Sequence, residues 1–130
     1  MKKIIKIILP NSVRLIILRL LEFIKYNYRY WKLKFVLLYK KEIKIIIGAN
    51  HTYQNEWYST NENWLDITKE QDWEKIFKKK FIISNILAEH VFEHLTYDEC
   101  IKALKIINKY MIKNSKIRIA VPDGYNPDPI

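Results

Sequence analysis

The chain has 130 residues, of which 49% are hydrophobic and 28% charged, a composition typical of one ordered globular domain and unlike that of disordered or collagenous sequences. Its single cysteine, Cys100, excludes an internal disulfide and a zinc cage of several cysteines, and it fits a reducing, cytoplasmic setting. Charged residues interrupt every candidate run of ~18 or more apolar residues, and residues 1–9 lack the features of a secretion signal, so we expect neither a spanning helix nor a targeting peptide.

The net charge of +9 is unevenly distributed along the chain. Residues 1–44 contain 12 Lys and Arg against Glu22 and Glu42, a net charge of +10, whereas residues 45–130 contain 11 basic and 12 acidic side chains, a net charge of −1. We therefore predict a basic leader over residues 1–41 and a nearly neutral body over residues 42–130.

Residues 11–38 show the periodicity of an amphipathic helix. At about 100° per residue the charged side chains fall within an arc of roughly 140°, opposite leucines, isoleucines and aromatic residues; they are Arg14, Arg19, Glu22, Lys25, Arg29 and Lys32. Two interpretations fit this pattern equally well. The helix either lies on an anionic membrane surface, at the inner face of the membrane, or docks on its own domain or a partner. Nucleic acid ranks lower because the body has no second basic patch.

From residue 42 onward, short apolar runs separated by helical patterns predict alternating strands and helices. This alternation is typical of an α/β fold with a parallel sheet and crossover helices. The predicted strands are residues 42–48, 57–60, 81–88 and 116–121.

Two capping-box patterns mark the starts of the predicted helices of the body. The first begins at Thr68 and opens a helix through about Lys79, and the second begins at Thr96. We expect the second helix to end at Asn114 in a left-handed conformation. Its predicted apolar face comprises Ile101, Leu104, Ile107 and Met111.

The residues AEHVFEHL contain an H-x-x-E-H pattern formed by His90, Glu93 and His94. Two histidines one helical turn apart, with a glutamate between them, can bind zinc and activate water. However, a helix that begins at Thr96 leaves all three in a strand-to-helix connection, and a third metal ligand would still be needed. A zinc hydrolase is therefore the least favoured alternative, and we expect no metal site.

Polar residues follow three predicted strands, in the segments IGANH, AEH and PDGY. Ligands of open parallel sheets bind outside the carboxyl ends of the strands, so these segments are expected to meet at one crevice.

The segments IIIGANHTYQNEW, STNENWLDI, DWEKIF, ILAEHVFEHLTYDE and IRIAVPDGYNPDP resemble the predicted S-adenosylmethionine-dependent methyltransferases of the class I, Rossmann-like type, in the branch with an AEHVxEHL signature. The resemblance covers roughly residues 43–130, and AEHVFEHLT followed by RIAVPDGYNPDP is its most specific part. It implies a Rossmann-like sheet, S-adenosyl-L-methionine as cofactor, and a small-molecule or glycan acceptor. The family continues beyond the position of Ile130, which implies an incomplete sheet and a chain that is weak or inactive alone.

Cofactor-binding residues follow from this resemblance. It implies that Gly48, Ala49 and Asn50 line the methionine and ribose part of the cofactor, and that Asp66 lies near the adenine. Asn50 stands where the family usually has a second glycine.

The resemblance also implies that Glu89 and His90 lie beside the methyl group, with His90 acting either as a base or as a group that orients the acceptor. Asn61 or Glu62 stands where an acidic residue that binds the ribose is expected, and His94 is expected to pack or form a hydrogen bond at a helix start. The alternative to a methyltransferase is a non-catalytic fragment that binds a membrane surface or a partner.

Overall fold

The computed structural model describes residues 10–48, 52–78 and 81–122. In chain order the elements are α1 (Asn11–Val36), β1 (Ile43–Ile47), β2 (Trp57–Ser59), α2 (Glu70–Phe77), β3 (Ile83–Glu89), a 3-10 turn (Phe92–His94), α3 (Tyr97–Asn108) and β4 (Met111–Ala120). The four strands form one sheet in the order β2-β1-β3-β4, and each neighbouring pair is parallel. The predicted α/β class, a Rossmann-like parallel sheet preceded by a helix, is confirmed.

The strand order reverses between β1 and β3. The chain first moves outward from β1 to β2, then returns through α2 to β3 on the other side of β1 and continues through α3 to β4. This order matches the central strands of a doubly wound Rossmann sheet, in which ligands bind at the point of reversal. The connection between β1 and β2 contains no helix in its described residues 52–56.

Apolar residues on both faces hold the sheet in place. Ile43, Ile45 and Ile47 of β1 face the main core, whereas Ile46 packs in a smaller cluster with Leu87 of β3 on the other face. A strand covered on both faces needs a continuous apolar run, which the isoleucines of β1 supply.

Three aromatic rings anchor the crossover helices to the sheet. Trp73 and Phe77 of α2 lie with their ring centroids 5.4 Å apart, and Tyr110, which follows α3, lies 5.4 Å from Trp73 and 5.7 Å from Phe77. All three are almost fully buried. The cluster therefore ties α2 to the end of α3.

The last turns of α1 belong to the same core as the sheet. Leu33, Val36 and Leu37 are buried in the main cluster, and the ring of Tyr30 meets that of Trp64 edge-on at 5.6 Å. The predicted leader over residues 1–41 is thus joined to the body by packing at its end. No helix in the described part of the chain is long and apolar enough to cross a membrane.

One of the two predicted capping boxes is confirmed. The hydroxyl of Thr96 accepts from the backbone N–H of Glu99, and the carboxylate of Glu99 accepts from the backbone N–H of Thr96 at 2.8 Å. The box predicted at Thr68 is wrong, because α2 begins at Glu70 without a side-chain cap. The backbone N–H and hydroxyl of Thr68 instead donate to Asp66, two residues earlier.

The predicted end of the second body helix is also wrong. α3 ends at Asn108, and Asn114, although left-handed with φ of 64°, lies within β4 where the register against β3 shifts. The reason is Tyr110, whose buried ring joins the aromatic cluster and whose carbonyl accepts from the first N–H groups of the β3 segment. The buried residues of α3 are Ala103, Ile106 and Ile107. Of the predicted apolar face Ile107 is confirmed, whereas Ile101 and Leu104 are exposed and Met111 belongs to β4.

Replacing a leucine of α1 that is buried in the core should lower the free energy of unfolding far more than replacing an exposed leucine of the same helix. Leu33 is 0% exposed and Leu20 is 58% exposed. We expect Leu33→Ala to lower the free energy of unfolding by about 2–5 kcal/mol, because it leaves a cavity, and Leu20→Ala to lower it by less than about 0.5 kcal/mol. Urea denaturation of both variants measures the difference. Equal small effects would contradict the docking of α1.

Candidate functional site

A cleft of about 650 Å³ opens at the carboxyl ends of β1, β2 and β3. Its walls are the end of β1 with Gly48, the loop after β2 and the segment after β3, together with one residue each from α1 and α3. The cleft lies where the strand order reverses, and its volume is within the range of small-molecule sites. The crevice expected from the strand ends is therefore present for the first two of the three predicted segments.

Gly48 occupies a position that only glycine fits without strain. Its φ is +69°, in the left-handed region, and a Cβ placed there would collide with the Cγ2 atom of Val91. The collision arises because the chain leaves β1 close to the segment that follows β3, whereas the left-handed φ is a separate restriction that disfavours any side chain. The absence of a side chain keeps this wall of the cleft open.

The structure brings together three of the predicted site residues. Gly48, Asp66 and His90 line the same cleft. Glu89 is the last residue of β3, where it pairs with Ala120 of β4, and it is not among the residues that line the cleft.

Two further predicted residues, Ala49 and Asn50, lie outside the described residues, as do residues 123–130, which contain most of PDGY.

Asp66 is held in place by its neighbours. Its Oδ1 atom accepts from the backbone N–H of Thr68 at 2.9 Å and from the hydroxyl of Thr68 at 2.7 Å, and its Oδ2 atom lies 2.9 Å from the Nζ atom of Lys69. Burial raises the pKa of Asp66, but these hydrogen bonds and the charge of Lys69 outweigh it, so the pKa lies below its usual value. Asp66 is therefore an ionised, rigid acceptor at neutral pH.

The loop after β2 is tied to β1 at the edge of the cleft. The backbone N–H and the hydroxyl of Thr60 both donate to the carbonyl of Ile46, at 2.8 and 3.0 Å. The next residue, Asn61, is nearly buried and accepts from the backbone N–H of Asn63 at 2.9 Å. Because Asn61 is used in this turn, the exposed Glu62 is the better candidate to contact a ligand.

His90 has a strained backbone and an accessible side chain. Its φ is +55°, a conformation that is rare for residues other than glycine, and its backbone N–H donates to the carbonyl of Ala120 at 3.2 Å. Such strain persists only where the surrounding structure enforces it, and it is frequent at functional sites.

The ring of His90 pairs with a carboxylate. Its side chain is 75% exposed, and its Nδ1 atom lies 3.2 Å from the Oε1 atom of Glu93. A proton on Nδ1 satisfies this contact and leaves the lone pair of Nε2 available to accept. Glu93 was predicted only as part of the zinc pattern, although its spacing of three residues from His90 also suits an ion pair.

The histidines of the H-x-x-E-H pattern do not share a helix. His90 directly follows β3, and His94 ends the 3-10 turn. Within residues 10–48, 52–78 and 81–122 no group of three or more His, Cys, Asp or Glu side chains is arranged to hold a metal ion. The geometry that an inverted zinc motif requires is therefore missing from this segment.

The charged side chains that line the cleft are carboxylates. Glu62, Asp66 and Glu99 belong to its walls, and no Lys or Arg among the described residues does. Neither Glu99 nor Tyr26, which α1 contributes from more than 20 residues before β2, was predicted to line the cleft. Lys69 compensates the charge of Asp66, so the negative charge of the cleft rests mainly on Glu62 and Glu99, and it favours ligands with positive charge and hydrogen-bond donors over phosphates.

Comparisons of this chain with protein-family models, with curated proteins and with solved structures give no match. What the cleft can bind is therefore inferred from its own residues and from the sequence resemblance.

Adding a methyl group at Gly48 should destabilise the protein through two separable effects. We expect Gly48→Ala to lower the free energy of unfolding by more than about 2 kcal/mol, because of the left-handed backbone and the collision with Val91. In a Val91→Ala background the collision is relieved, and the same substitution should cost only about 1–2 kcal/mol. Thermal or urea denaturation of the four proteins checks this. An equal cost in both backgrounds would show that Val91 does not approach Gly48.

Proposed function

We propose that the cleft binds S-adenosyl-L-methionine and that the protein is a methyltransferase-like protein of the class I, Rossmann-like type. The observation that carries this proposal is a cleft at the strand reversal whose lining charges are carboxylates. The resemblance of residues 43–130 to the AEHVxEHL branch supports the same conclusion.

The charge of the cleft supports this cofactor over a dinucleotide or a nucleoside triphosphate. S-adenosylmethionine carries a sulfonium and an ammonium group against a single carboxylate, whereas the other ligands carry several negative charges. The carboxylates of Glu62, Asp66 and Glu99 in the cleft walls disfavour the phosphates of those ligands.

The residues present fit the proposed cofactor. Gly48 lets the backbone come close to a ligand. Asp66 is an ionised acceptor suited to the amino group of the adenine, and Glu62 is an exposed carboxylate suited to the ribose hydroxyls. When bound, the cofactor supplies a methyl group activated by the positive sulfur.

His90 is the residue we propose to act on the methyl acceptor. An acceptor hydroxyl or amine loses a proton as its new bond to carbon forms, and the Nε2 atom of His90 can take that proton. Glu93, at 3.2 Å from Nδ1, holds the ring orientation and balances the positive charge that the ring acquires. A small molecule or a glycan with a free hydroxyl or amine meets this requirement.

Isothermal titration of the full chain tests cofactor binding. We expect S-adenosylmethionine and S-adenosylhomocysteine to bind, and ATP and NADH to bind much more weakly. Glu62→Gln and Asp66→Asn should each weaken cofactor binding by about tenfold, the scale of one hydrogen bond to a charged group. Asn at position 66 can still accept from Thr68, so the loop should be preserved.

Glu42→Gln is the matched control for these two variants, since Glu42 is exposed and does not line the cleft. Failure of a folded sample to bind S-adenosylmethionine would contradict the proposed function, as would tighter binding of ATP or NADH.

The role of His90 is tested by methyl transfer from labelled cofactor to a panel of small molecules and glycans. We expect His90→Asn, which tolerates the left-handed backbone, to lower kcat by about 10²–10⁴, the range for general-base residues. The affinity for the cofactor should change little. His94→Asn is the control, because His94 lines the same cleft outside the pair formed with Glu93. Equal losses in the two variants would contradict a specific role for His90.

A further inference from the structure

The outward face of α1 is predominantly apolar, and at about 100° per residue Asn27 and Lys34 are the polar positions within it. We name this face the apolar stripe. Its side chains are between 38% and 66% exposed; they are Val13, Ile16, Leu20, Phe23, Ile24, Trp31 and Phe35. A helix of 26 residues is about 39 Å long, and monomeric soluble proteins rarely expose a continuous apolar surface of that extent.

The protein's own domain does not cover the apolar stripe. α1 docks through Tyr30, Leu33, Val36 and Leu37, whose directions at about 100° per residue centre roughly 140° away from the centre of the stripe. Docking on the domain, one of the two interpretations of this helix, thus accounts for the inward face of its last turns only.

Cations occupy the surface of α1 outside the apolar stripe. At about 100° per residue Arg14, Lys25, Arg29 and Lys32 lie more than roughly 100° from the centre of the stripe on one side, and we name these four the basic row. Arg19 lies on the other side. Three members of the basic row, Lys25, Arg29 and Lys32, help to line a cavity of about 220 Å³ between α1 and β2. An apolar face opposed by a face rich in Lys and Arg is the pattern of helices that lie in a lipid interface.

We propose that α1 docks on the surface of an anionic lipid bilayer, with the apolar stripe at the boundary between headgroups and acyl chains and the basic row at the lipid phosphates. Tyr28, between the apolar stripe and the basic row, and Trp31, within the stripe, have aromatic rings with one polar atom, a type that is enriched at the membrane interface. The cavity lined by Lys25, Arg29 and Lys32 then receives one anionic headgroup.

The charge of the helix favours an anionic bilayer as its partner over a second copy of the chain or a nucleic acid. Residues 1–44 have 12 basic side chains against 2 acidic ones, so two copies of α1 brought together would repel each other. Nucleic acid would engage the basic row but would leave the apolar stripe in water. An anionic bilayer complements both features at once.

Sedimentation of the full chain with vesicles tests the proposal. We expect binding to vesicles of phosphatidylcholine mixed with phosphatidylglycerol, weakened by salt, and little binding to phosphatidylcholine alone. The triple variant Ile16→Gln, Leu20→Gln and Ile24→Gln keeps good helix formers but removes apolar contact, and it should reduce partitioning by about a hundredfold. The triple variant Arg14→Gln, Arg19→Gln and Lys25→Gln should reduce it by about tenfold or more.

Matched controls carry the same changes away from α1. Phe81→Gln, Tyr97→Gln and Val121→Gln remove similarly exposed apolar side chains, and Lys102→Gln, Lys105→Gln and Lys113→Gln remove three exposed positive charges. Both control proteins should bind vesicles as the unchanged chain does. Circular dichroism and the urea midpoint confirm that all variants are folded.

Three outcomes would overturn the proposal. One is failure of the folded chain to bind anionic vesicles. Another is an equal loss of binding in the control variants, which would indicate attraction by net charge alone. The third is the absence of vesicle binding together with one of two other results: a stable dimer that dissociates when the apolar stripe is substituted, or tight binding to duplex DNA. Cofactor titration of the apolar-stripe variant is independent of these results, so failure of this proposal is distinguishable from failure of the proposed function.

Discussion

The parallel pairing of β1 with β3 is the constraint on which the rest of the structure depends. It aligns Ile45 with Ile86 and Ile47 with Ala88, so both strands end at the same level. Gly48 then meets Val91 at the mouth of the cleft, and there is no room for a side chain between them. The apolar character of both strands enforces this register, because a slip of one residue would turn buried isoleucines away from their partners.

The left-handed backbones at the ends of β1 and β3 have different causes. Gly48 adopts φ of +69° beside a close neighbour, where glycine is required, whereas His90 adopts φ of +55° with a Cβ present. The bond from the N–H of His90 to the carbonyl of Ala120 helps to hold that conformation. Backbone strain of this kind is frequent at functional sites, which is why His90, with its partner Glu93, is the residue for which we propose a role in methyl transfer.

Negatively and positively charged side chains lie in separate regions of this 130-residue protein. The cleft is lined by carboxylates, whereas the side of α1 that faces β2 carries a row of cations. α1 belongs to both regions, because Tyr26 lines the cleft while Lys25 and Arg29 line the second cavity. The two proposals require this separation, since the proposed cofactor is cationic and the proposed lipid surface is anionic. The same helix is anchored by Leu33 in the core, so its outer face is held at a fixed position relative to the cleft.

The α/β class, the approximate positions of the strands and the capping box at Thr96 could be predicted from the sequence, because these depend on local periodicity and on contacts within one turn of helix. The strand ends also predicted that Gly48 and His90 lie near one sheet edge, whereas Asp66 was expected there only from the family resemblance. The end of α3 depends on tertiary packing: Asn114 adopts the left-handed conformation but lies within β4, because the ring of Tyr110 packs against α2 and the helix ends before it. The presence of Tyr26 and Glu99 in the cleft, and the uncovered apolar stripe, likewise depend on how distant segments pack, which the pattern along a single segment does not contain.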